Sequence, residues 1–335
     1  MRAGALEIVR CPACYGALRL ESAGGCEPAA EAELRCGCGA RYPVVGGVPR
    51  FVDGRGESDR ARRRTRRAFE VEWQIFGSSA RIYGGTAEES MALLFEEIGQ
   101  SGLSPEWIRG RRVLDAGCGH GRYVFGLAAL GAEAWGLDLG LGIDVAARDR
   151  PAGLDAFLVQ GDLLRPPFAA GSFDLVISKG VLHCTPDPAG GARALARLLR
   201  PGGYLFVWVY PRYPAWFLLP QEAIRRVTRR LPPRLLISLC FAAAPLLDLV
   251  VRRGVGAPTH AASRRRSLSR TTAREKAQMI YDWYSPWIQT YHTPTEVAGW
   301  LRSSGLVAVK DCPIPSGASG RMASLPGADP DSIDR

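Results

Sequence analysis

Residues 113–127, VLDAGCGHGRYVFGL, constrain the possible fold more than any other part of the sequence. An apolar run ends at Asp115, Gly117, Gly119 and Gly121 follow at alternate positions, and a helix-like pattern begins directly after them. Glycines let a ligand approach the bare backbone, and the free amide groups at a helix start can bind it. The stretch therefore predicts a strand, a ligand-binding turn and a helix.

The sequence from about residue 105 to 210 alternates between apolar strands and helices. Strands are predicted in RRVLDAG, AEAWGLDLG, LDAFLVQGD, FDLVISKG and YLFVWVY, and helices in RYVFGLAALG and PAGGARALARLLRPGG, the second stopped by Pro201-Gly202-Gly203. A further helix and strand are predicted in TPTEVAGWLRSSGLVAVKDC. Such alternation favours an α/β fold with a parallel sheet covered by helices on both faces.

Acidic residues follow the first three predicted strands and narrow the choice of ligand. The dinucleotide fingerprint G-x-G-x-x-G fails because position 122 is arginine, so the glycines read G-x-G-x-G. Asp138 can accept hydrogen bonds from ribose hydroxyls, and Asp162 from an adenine amino group with Leu163 beside the ring. Each acid alone could be a strand-end cap, but with Asp115 they converge on one crevice at the carboxyl edge of the sheet.

Three segments together resemble a class I S-adenosylmethionine-dependent methyltransferase. They are VLDAGCGHGRYVFGLAALGAEAWGLDLG, GDLLRPPFAAGSFDLVISKGVLHCTPDP and LARLLRPGGYLFVWVY. The resemblance implies a Rossmann-like seven-stranded methyltransferase sheet, with the cofactor's methionine part at Asp115 and the three glycines, its ribose at Asp138 and its adenine at Asp162 and Leu163. We also include Lys179 among the cofactor-binding candidates. The family often has two histidines where this chain has His183-Cys184.

The N-terminal cysteines predict a metal site. Cys11 and Cys14 form C-x-x-C, and Cys36 and Cys38 form C-x-C. Two thiolate pairs on facing turns can complete a tetrahedral zinc site with no open position, which indicates a structural rather than a catalytic metal. The start of the chain lacks the pattern of a secretory signal, which favours a cytoplasmic protein with reduced cysteines. We expect Cys26 not to be a ligand.

The segment containing RYPVVGGVPRFV is similar to the zinc ribbon that accompanies several tRNA and rRNA methyltransferases and some methyltransferases of small molecules. We therefore divide the chain into five parts. They are a zinc ribbon (1–53), a basic linker with N-terminal helices (54–104), a methyltransferase core (105–210 and 291–323), a helical insertion that acts as a substrate lid (211–290) and a disordered tail (324–335).

Composition bears on partners. The formal net charge is +10, and lysine occurs at only three positions, so arginine supplies nearly all of the basic charge. This charge could indicate an acidic partner, but the excess of arginine over lysine favours coding bias as the explanation. The apolar run 235–251 is shorter than the ~20 residues of a membrane-spanning helix. We expect a buried or interfacial helix there, with peripheral lipid contact possible and no transmembrane span.

Two histidines are candidates for a general base, which a hydroxyl acceptor needs. His183 follows the fourth strand, and His292 lies where the insertion rejoins the core. Each could instead be an ordinary hydrogen-bonding histidine. The aromatic residues near His292 suit either a wall over a flat substrate or a small core under a lid; they are Tyr281, Trp283, Tyr284, Trp287 and Tyr291.

Three functions remain open on sequence alone. The first is a methyltransferase with in-line transfer to a small-molecule acceptor: a quinone-like, lipid-linked, sugar or secondary-metabolite hydroxyl or carbon. The second is an rRNA or tRNA methyltransferase in which the zinc ribbon binds substrate. The sequence SKGVLHC stands where amino-group methyltransferases carry an N-P-P-Y-like motif, which disfavours the second. The third is a non-catalytic scaffold with a methyltransferase fold, which the intact acids disfavour.

Overall fold

The computed structural model describes residues 3–22, 31–52, 59–77, 86–252, 271–312 and 319–326. The first four strands form a small antiparallel sheet in sequence order: β1 (Leu18–Ser22), β2 (Glu31–Cys36), β3 (Arg41–Val45) and β4 (Val48–Pro49). The remaining seven are β5 (Arg112–Ala116), β6 (Glu133–Asp138), β7 (Ala156–Gln160), β8 (Phe173–Lys179), β9 (Leu199–Val209), β10 (Val307–Cys312) and β11 (Ser319–Ser324).

Ten α-helices accompany these strands in the described part of the chain. Those before and within the larger sheet are α1 (Arg60–Phe76), α2 (Ala87–Ile98), α3 (Pro105–Ile108), α4 (Arg122–Ala129), α5 (Gly142–Asp149) and α6 (Pro188–Ala196). Those that follow are α7 (Ala215–Thr228), α8 (Pro233–Arg252), α9 (Ala273–Tyr284) and α10 (Pro294–Ser303).

The larger sheet has seven strands in the order β10-β11-β9-β8-β5-β6-β7. Strands β5 to β9 pair in parallel, whereas β11 is antiparallel to both β9 and β10. The predicted α/β class with a seven-stranded sheet is thus confirmed. Strands β5 to β9 run in the same direction, so their carboxyl ends lie at one edge of the sheet. The sequence places the three acids at that edge.

Both faces of this sheet are covered, as predicted. Side chains alternate along each strand, so that Val113 faces the core under α2, α4 and α5, while Leu114 faces the core under α6 and α10. Buried strands of this kind are apolar almost throughout, which is why FDLVISK in β8 has no polar alternation.

The chain departs from the sequence prediction at two boundaries. Helix α6 ends at Ala196, before Pro201, and Pro201–Gly203 lie inside β9, where the pairing with β8 shifts register and Gly202 takes a φ of 78°. The predicted disordered tail starts too early. Ser324 is paired with Tyr204, and the Leu325 amide donates to the Gly203 carbonyl at 2.9 Å. Residues 327–335 lie outside the described part.

The small N-terminal sheet packs directly on the larger one. Val9 bridges to Phe168, and the Phe51 amide donates to the Gln160 carbonyl at 2.8 Å at the end of β7. Apolar residues of the two sheets, such as Leu34 and Trp135, belong to one buried cluster. The N-terminal segment is therefore part of the same core.

The segment predicted as a basic linker is largely helical. Helix α1 starts at an Asp59 cap, whose carboxylate accepts from the Ala61 amide at 2.8 Å, and its arginines make contacts with other parts of the chain. Arg62 pairs with Asp162, and the Arg64 guanidinium lies 4.3 Å from the centre of the Trp287 ring. These two arginines of the helix therefore contact other parts of the chain rather than solvent alone.

The insertion between β9 and α10 contains α7, α8 and α9, with residues 253–270 outside the described part. Helix α9 begins with a capping box of Thr272 and Glu275, as the T-x-x-E spacing favours. It packs along α8, and the two share a small buried cluster with Tyr281. Among the described helices, none combines the length and apolarity needed to cross a bilayer.

Candidate active site

The glycine turn after β5 has the backbone conformation that the sequence predicts. Gly117, Gly119 and Gly121 have φ values of 92°, 53° and 86°, in the left-handed region that favours glycine. Space imposes a second restriction: a Cβ atom on Gly117 would lie 2.3 Å from the Val181 side chain. The turn is held at β6 by the Gly117 amide, which donates to the Leu137 carbonyl at 2.7 Å.

Two carboxylates, buried Asp115 and half-buried Asp138, lie beside this turn. Asp115 is 2% exposed, and its Oδ2 has no hydrogen-bond partner among the described residues. Burial, reinforced by the negative charge of Asp138, raises the pKa of Asp115 to about 7. Asp138 accepts hydrogen bonds from the Gly119 and Gly140 amides, each at 2.8 Å, yet burial still raises its pKa to about 6. The ionised forms of this pair are therefore disfavoured in the protein without cofactor.

The other cofactor candidates already have partners in this structure. Asp162 accepts from the Leu164 amide at 2.9 Å and pairs with Arg62 of α1, and Leu163 beside it is buried. Lys179 pairs with Glu97 at 2.6 Å near the same crevice. The structure therefore brings Asp115, Asp138 and Asp162 to one edge, but Lys179 is engaged by α2.

The chemistry of this edge fits S-adenosylmethionine. Its sulfonium and ammonium groups are cationic, and Asp115 offers a buried, unpartnered carboxyl oxygen beside a turn with no side chains. A cation bound there stabilises the ionised carboxylates that burial alone disfavours. The cofactor assignment of Asp115, Gly117, Gly119, Gly121, Asp138, Asp162, Leu163 and Lys179 stays a prediction.

Helix α1 lies across this crevice. Its Trp73 indole packs on Gly119, lies tilted against the His120 ring with 4.8 Å between ring centres, and approaches Gly142 at the start of α5. Arg62, at the opposite end of the helix, reaches Asp162. The helix thus contacts the ends of β5, β6 and β7 and shields them from solvent.

A stack of aromatic rings lies next to the crevice, after β8 and β9. His183 is 2% exposed, and its ring stacks on Tyr210 with 4.0 Å between centres. Tyr210 stacks in turn on Trp283 of α9 at 4.8 Å and donates its hydroxyl to Asp282 at 2.8 Å. Burial lowers the pKa of His183 to about 3, with smaller contributions from His292 and Arg225. His183 is therefore neutral near pH 7 and can accept a hydrogen bond, while its burial disfavours protonation.

His292 has a different setting. Its Nε2 lies 2.7 Å from the Thr290 hydroxyl, and its ring meets Trp300 edge-on at 4.6 Å. The His292 amide donates to the Tyr210 carbonyl at 2.9 Å, which fixes the junction of the insertion with β9. These contacts give His292 a role in joining the two parts, whereas the buried Nδ1 of His183 has no partner among the described residues.

The aromatic residues near His292 divide between the two uses expected for them. Tyr281 is buried in the core of the insertion, and Trp287 lies between Arg64 and Arg229. Trp283 and Tyr291 instead line the stack around Tyr210, with Tyr291 at 6.4 Å from it.

The four N-terminal cysteines converge as predicted. The Sγ atoms of Cys11, Cys14, Cys36 and Cys38 all lie within 4.8 Å of one another, with Cys11–Cys38 at 3.8 Å and Cys14–Cys36 at 3.4 Å. Sulfurs about 2.3 Å from a central zinc in a tetrahedron are about 3.8 Å apart. This donor set fits a structural zinc ion. Cys118, Cys240 and Cys312 are buried and Cys184 is partly buried, as expected of core or pocket residues. Cys26 lies outside the described part.

Several residues of the site were missed by sequence reasoning. Trp73 stands at helical spacing from Phe69 and Phe76 in FEVEWQIF, but nothing local indicates that this helix crosses the glycine turn. Tyr210 carries a signal, because it directly follows β9 and so stands at the same edge as the acids. Asp282 is an acid within the aromatic run YDWY, where a buried partner is needed.

The seven-stranded sheet and the carboxylate-lined glycine turn define a class I S-adenosylmethionine-dependent methyltransferase domain. Residues 114–207 match the family model described as "Methyltransferase domain". This part of the chain is therefore a methyltransferase domain, in agreement with the resemblance seen in the sequence.

Curated relatives share this region. The ubiquinone biosynthesis O-methyltransferase of Marinobacter nauticus is 36% identical over 130 residues, which are 37% of this chain and 55% of the relative. The enzyme of the same name from Xanthomonas oryzae is 38% identical over 130 residues, 37% of this chain and 54% of the relative. The chain spans about half the length of these relatives.

Among solved structures, the chain is similar to the magnesium protoporphyrin IX methyltransferase of Synechocystis with bound SAM. The sequence identity is 14% and the TM-score 0.46, over 81% of this chain and 99% of that one.

Proposed function

We propose that this chain transfers a methyl group from S-adenosylmethionine to an oxygen atom of a small, quinone-like aromatic acceptor. The observation that carries the proposal is the pair of carboxylates, buried Asp115 and half-buried Asp138, beside a glycine turn that carries no side chains at Gly117, Gly119 and Gly121. The names of the relatives support an oxygen acceptor on a quinone precursor.

The residues of the crevice hold and orient the cofactor. The bound cofactor supplies an electrophilic methyl group on a positively charged sulfur. Asp115 attracts the cationic part, Asp138 accepts from ribose hydroxyls, and Asp162 with Leu163 accommodates adenine once Arg62 shares or releases its carboxylate. Transfer then needs the acceptor oxygen in line at ~3–3.5 Å.

The aromatic stack provides the acceptor side. A ring placed against Trp283, at the end of this stack, gains stacking and apolar burial without requiring charge on the acceptor. His183 is proposed as the acceptor of the phenol proton as the oxygen attacks the methyl carbon; burial lowers its pKa to about 3 and makes it a weak base, so it must pass the proton on. Asp282 holds the Tyr210 hydroxyl at 2.8 Å and so fixes the ring on which His183 rests.

The zinc ion is proposed as a structural element. Cys11, Cys14, Cys36 and Cys38 would bind it with all four positions filled, so it takes no part in methyl transfer. Its role is to hold the small N-terminal sheet, which packs against the β7 edge of the larger one.

The charges of the predicted zinc ribbon and basic linker disfavour the alternative in which these two parts bind RNA. Residues 1–53 contain six basic and six acidic residues, so the predicted zinc ribbon is neutral in formal charge. Arg62 and Arg64 of the predicted basic linker face Asp162 and Trp287. RNA binding depends largely on free basic side chains at phosphates, and it weakens steeply with salt. Activity that collapses with added salt would support RNA as the substrate.

The proposal is tested in two steps with the full chain. Titration calorimetry with S-adenosylmethionine should show one binding site, lost in Asp115→Asn/Asp138→Asn but not in Asp155→Asn, an acid upstream of β7. An assay with an alkylated catechol should then yield the O-methyl product. Absence of cofactor binding in the folded protein would overturn the enzyme assignment. Cofactor binding without turnover on phenols would overturn the acceptor class.

A further inference from the structure

The helical insertion leaves two apolar stripes without a partner in the described structure. On α7, Trp216, Leu219 and Val227 are 63%, 69% and 61% exposed. Together with Ala223 they follow the spacing i, i+3, i+7, i+11, which puts them on one side of a helix. A contiguous exposed apolar surface of this kind marks an interaction site more often than a single exposed leucine does.

Helix α8 repeats the pattern. Leu235, Leu239 and Leu246 are exposed and lie with Ala242 at i, i+4, i+7, i+11. Its opposite side is also apolar, but that side is buried against α9; it comprises Leu236, Ile237, Cys240 and Ala244. A helix that is apolar on both sides and packed on one has a second surface to cover.

The insertion also carries the whole net charge of the chain. Residues 211–290 contain 14 of the 43 basic residues and four of the 33 acidic ones, a surplus equal to the chain's formal charge of +10. The remaining residues contain 29 of each sign. Coding bias would spread arginine over the chain, but it does not concentrate the surplus in one segment.

Basic side chains flank the stripes. Arg226 is exposed on α7 next to Val227, Arg230 is exposed in the turn after α7, and Arg234 is exposed at the start of α8 next to Leu235. Exposed tryptophan, leucine and valine with neighbouring arginine are typical of helices that lie in the interface of an anionic bilayer. Like charge disfavours a second copy of this segment as the partner, and bare phosphates would leave the apolar side chains uncovered.

From these observations we propose that α7 and α8 dock the protein on the surface of a bilayer containing anionic phospholipid. The stripes insert among the acyl chains, and the arginines bind headgroup phosphates. This attachment is peripheral and crosses no bilayer. It requires neither cofactor nor catalysis.

Docking would place the acceptor site next to the bilayer. Arg225 of α7 is 1% exposed and donates to the Pro286 carbonyl at 2.9 Å and to Gln289 at 2.7 Å. It thereby holds the segment that directly follows α9. Helix α9 itself carries Trp283 of the aromatic stack. An acceptor dissolved in the bilayer would reach the stack between these helices. This route rests on the proposed function, whereas the attachment itself does not.

The test is co-sedimentation of the full chain with vesicles of phosphatidylcholine alone or mixed with phosphatidylglycerol. We expect binding to the mixed vesicles that weakens with salt and little binding to phosphatidylcholine. Leu219→Ser/Leu239→Ser should weaken binding about tenfold or more, and Arg226→Glu/Arg230→Glu about thirtyfold or more. The matched controls are Leu93→Ser on α2 and Arg193→Glu on α6, which are also exposed.

Each variant is first checked for an unchanged melting temperature and unchanged calorimetric binding of S-adenosylmethionine, so that a loss of vesicle binding is not a loss of fold or of the cofactor site. No binding to mixed vesicles, or binding reduced equally by the control substitutions, would overturn the proposal. Self-association in solution that Leu219→Ser/Leu239→Ser abolishes, without vesicle binding, would assign the stripes to a second copy. Binding to an RNA oligonucleotide in place of vesicles would assign the arginines to nucleic acid.

Discussion

The indole of Trp73 occupies the space in which a side chain on Gly119 would begin. A Cβ atom at Gly119 would lie 2.8 Å from the indole carbons, and the backbone there has a φ of 53°. The glycine turn and helix α1 therefore pack closely against each other, and a substitution in one changes the packing of the other.

Gly119→Ala should lower the free energy of unfolding by about 1–2 kcal/mol from backbone strain alone, and further from the clash with Trp73. The measurement is urea denaturation, with Gly299→Ala as the control. Gly299 lies in α10 with no atom near its Cβ position, so alanine there should be neutral or stabilising. In the Trp73→Ala background the penalty for Gly119→Ala should shrink. An equal penalty in both backgrounds would contradict the fit.

This pair also shows where sequence reasoning stops. The glycine turn, the five parallel strands and the acids at their ends could be predicted because each is a local pattern with a direct physical cause: period, φ and strand polarity. The contact between Trp73 and Gly119 joins residues 46 positions apart, and no local preference specifies it. Tyr210 and Asp282, 72 positions apart, meet for the same reason only after the insertion has folded onto β9.

Strand β11, near the end of the described chain, was not predicted from the sequence, and the reason is different. Strand β11, SGRMAS, has little apolar alternation, and it is a strand because β9 and β10 pair with it on both sides. Strand preference depends on neighbours more than helix preference does. The predicted tail boundary at residue 324 erred because the pairing of Ser324 and Leu325 is set by β9.

Cofactor affinity should depend on pH through Asp115 and Asp138. Their pKa values of about 7 and about 6 are raised by burial, so both are partly protonated in the free protein near neutral pH. A cationic ligand needs the ionised forms; its affinity should fall as pH falls through 7 and 6, by up to about tenfold per pH unit for each proton. Calorimetry in buffers of different ionisation enthalpy should detect proton release on binding.

Asp115→Asn should remove the upper part of this dependence and weaken binding at every pH. The stability of the cofactor-free protein should respond in the opposite direction. A carboxyl group with a raised pKa in the folded state binds more protons than in the unfolded state, so it contributes stability that is lost as pH rises through its folded pKa. An affinity for S-adenosylmethionine that is independent of pH across this range would refute the role of both carboxylates.

Substitutions of the two candidate bases, His183 and His292, should differ in their effect on kcat. His183→Gln should lower kcat on a phenolic acceptor by about a hundredfold or more with unchanged cofactor affinity, since it removes the proton acceptor. His292→Gln should lower kcat by less than about tenfold, because His292 contacts Thr290 and Trp300 and acts through the position of the insertion. Steady-state kinetics with calorimetric control of cofactor binding decides. Equal losses would return His292 to the list of bases.

Because burial lowers the pKa of His183 to about 3, its protonation should not produce an acid limb near pH 6.5 in the rate. The value of kcat/KM for S-adenosylmethionine reports the free enzyme, so it should still fall at low pH as Asp115 and Asp138 take up protons. The value of kcat should show no such fall, because the cofactor is then bound. A kcat profile that falls below pH 6.5 would assign the base to a more exposed histidine.

Removal of zinc should unfold the N-terminal sheet without abolishing the cofactor site. Cys11→Ser should lower zinc content below one ion per chain, as measured by atomic absorption, and should lower the melting temperature. The carboxylates and the glycine turn belong to other strands, so the folded remainder should still bind S-adenosylmethionine. Cys26→Ser is the control and should keep full zinc. One zinc ion retained per chain in Cys11→Ser would count against the assignment.

Arg225 and Arg226 are adjacent in α7 but should differ widely in their effect on stability. Arg225 is 1% exposed and donates to the carbonyl oxygens of Trp283 and Pro286, while Arg226 is exposed. Arg225→Met leaves these buried acceptors and Glu222 without their donor and should cost about 3–5 kcal/mol in the free energy of unfolding. Arg226→Met should change the free energy of unfolding by less than about 0.5 kcal/mol.

Since Trp283 stacks on Tyr210, Arg225→Met should also raise KM for the acceptor while leaving the affinity for the cofactor unchanged. An unaltered KM would show that the stack is positioned without α7.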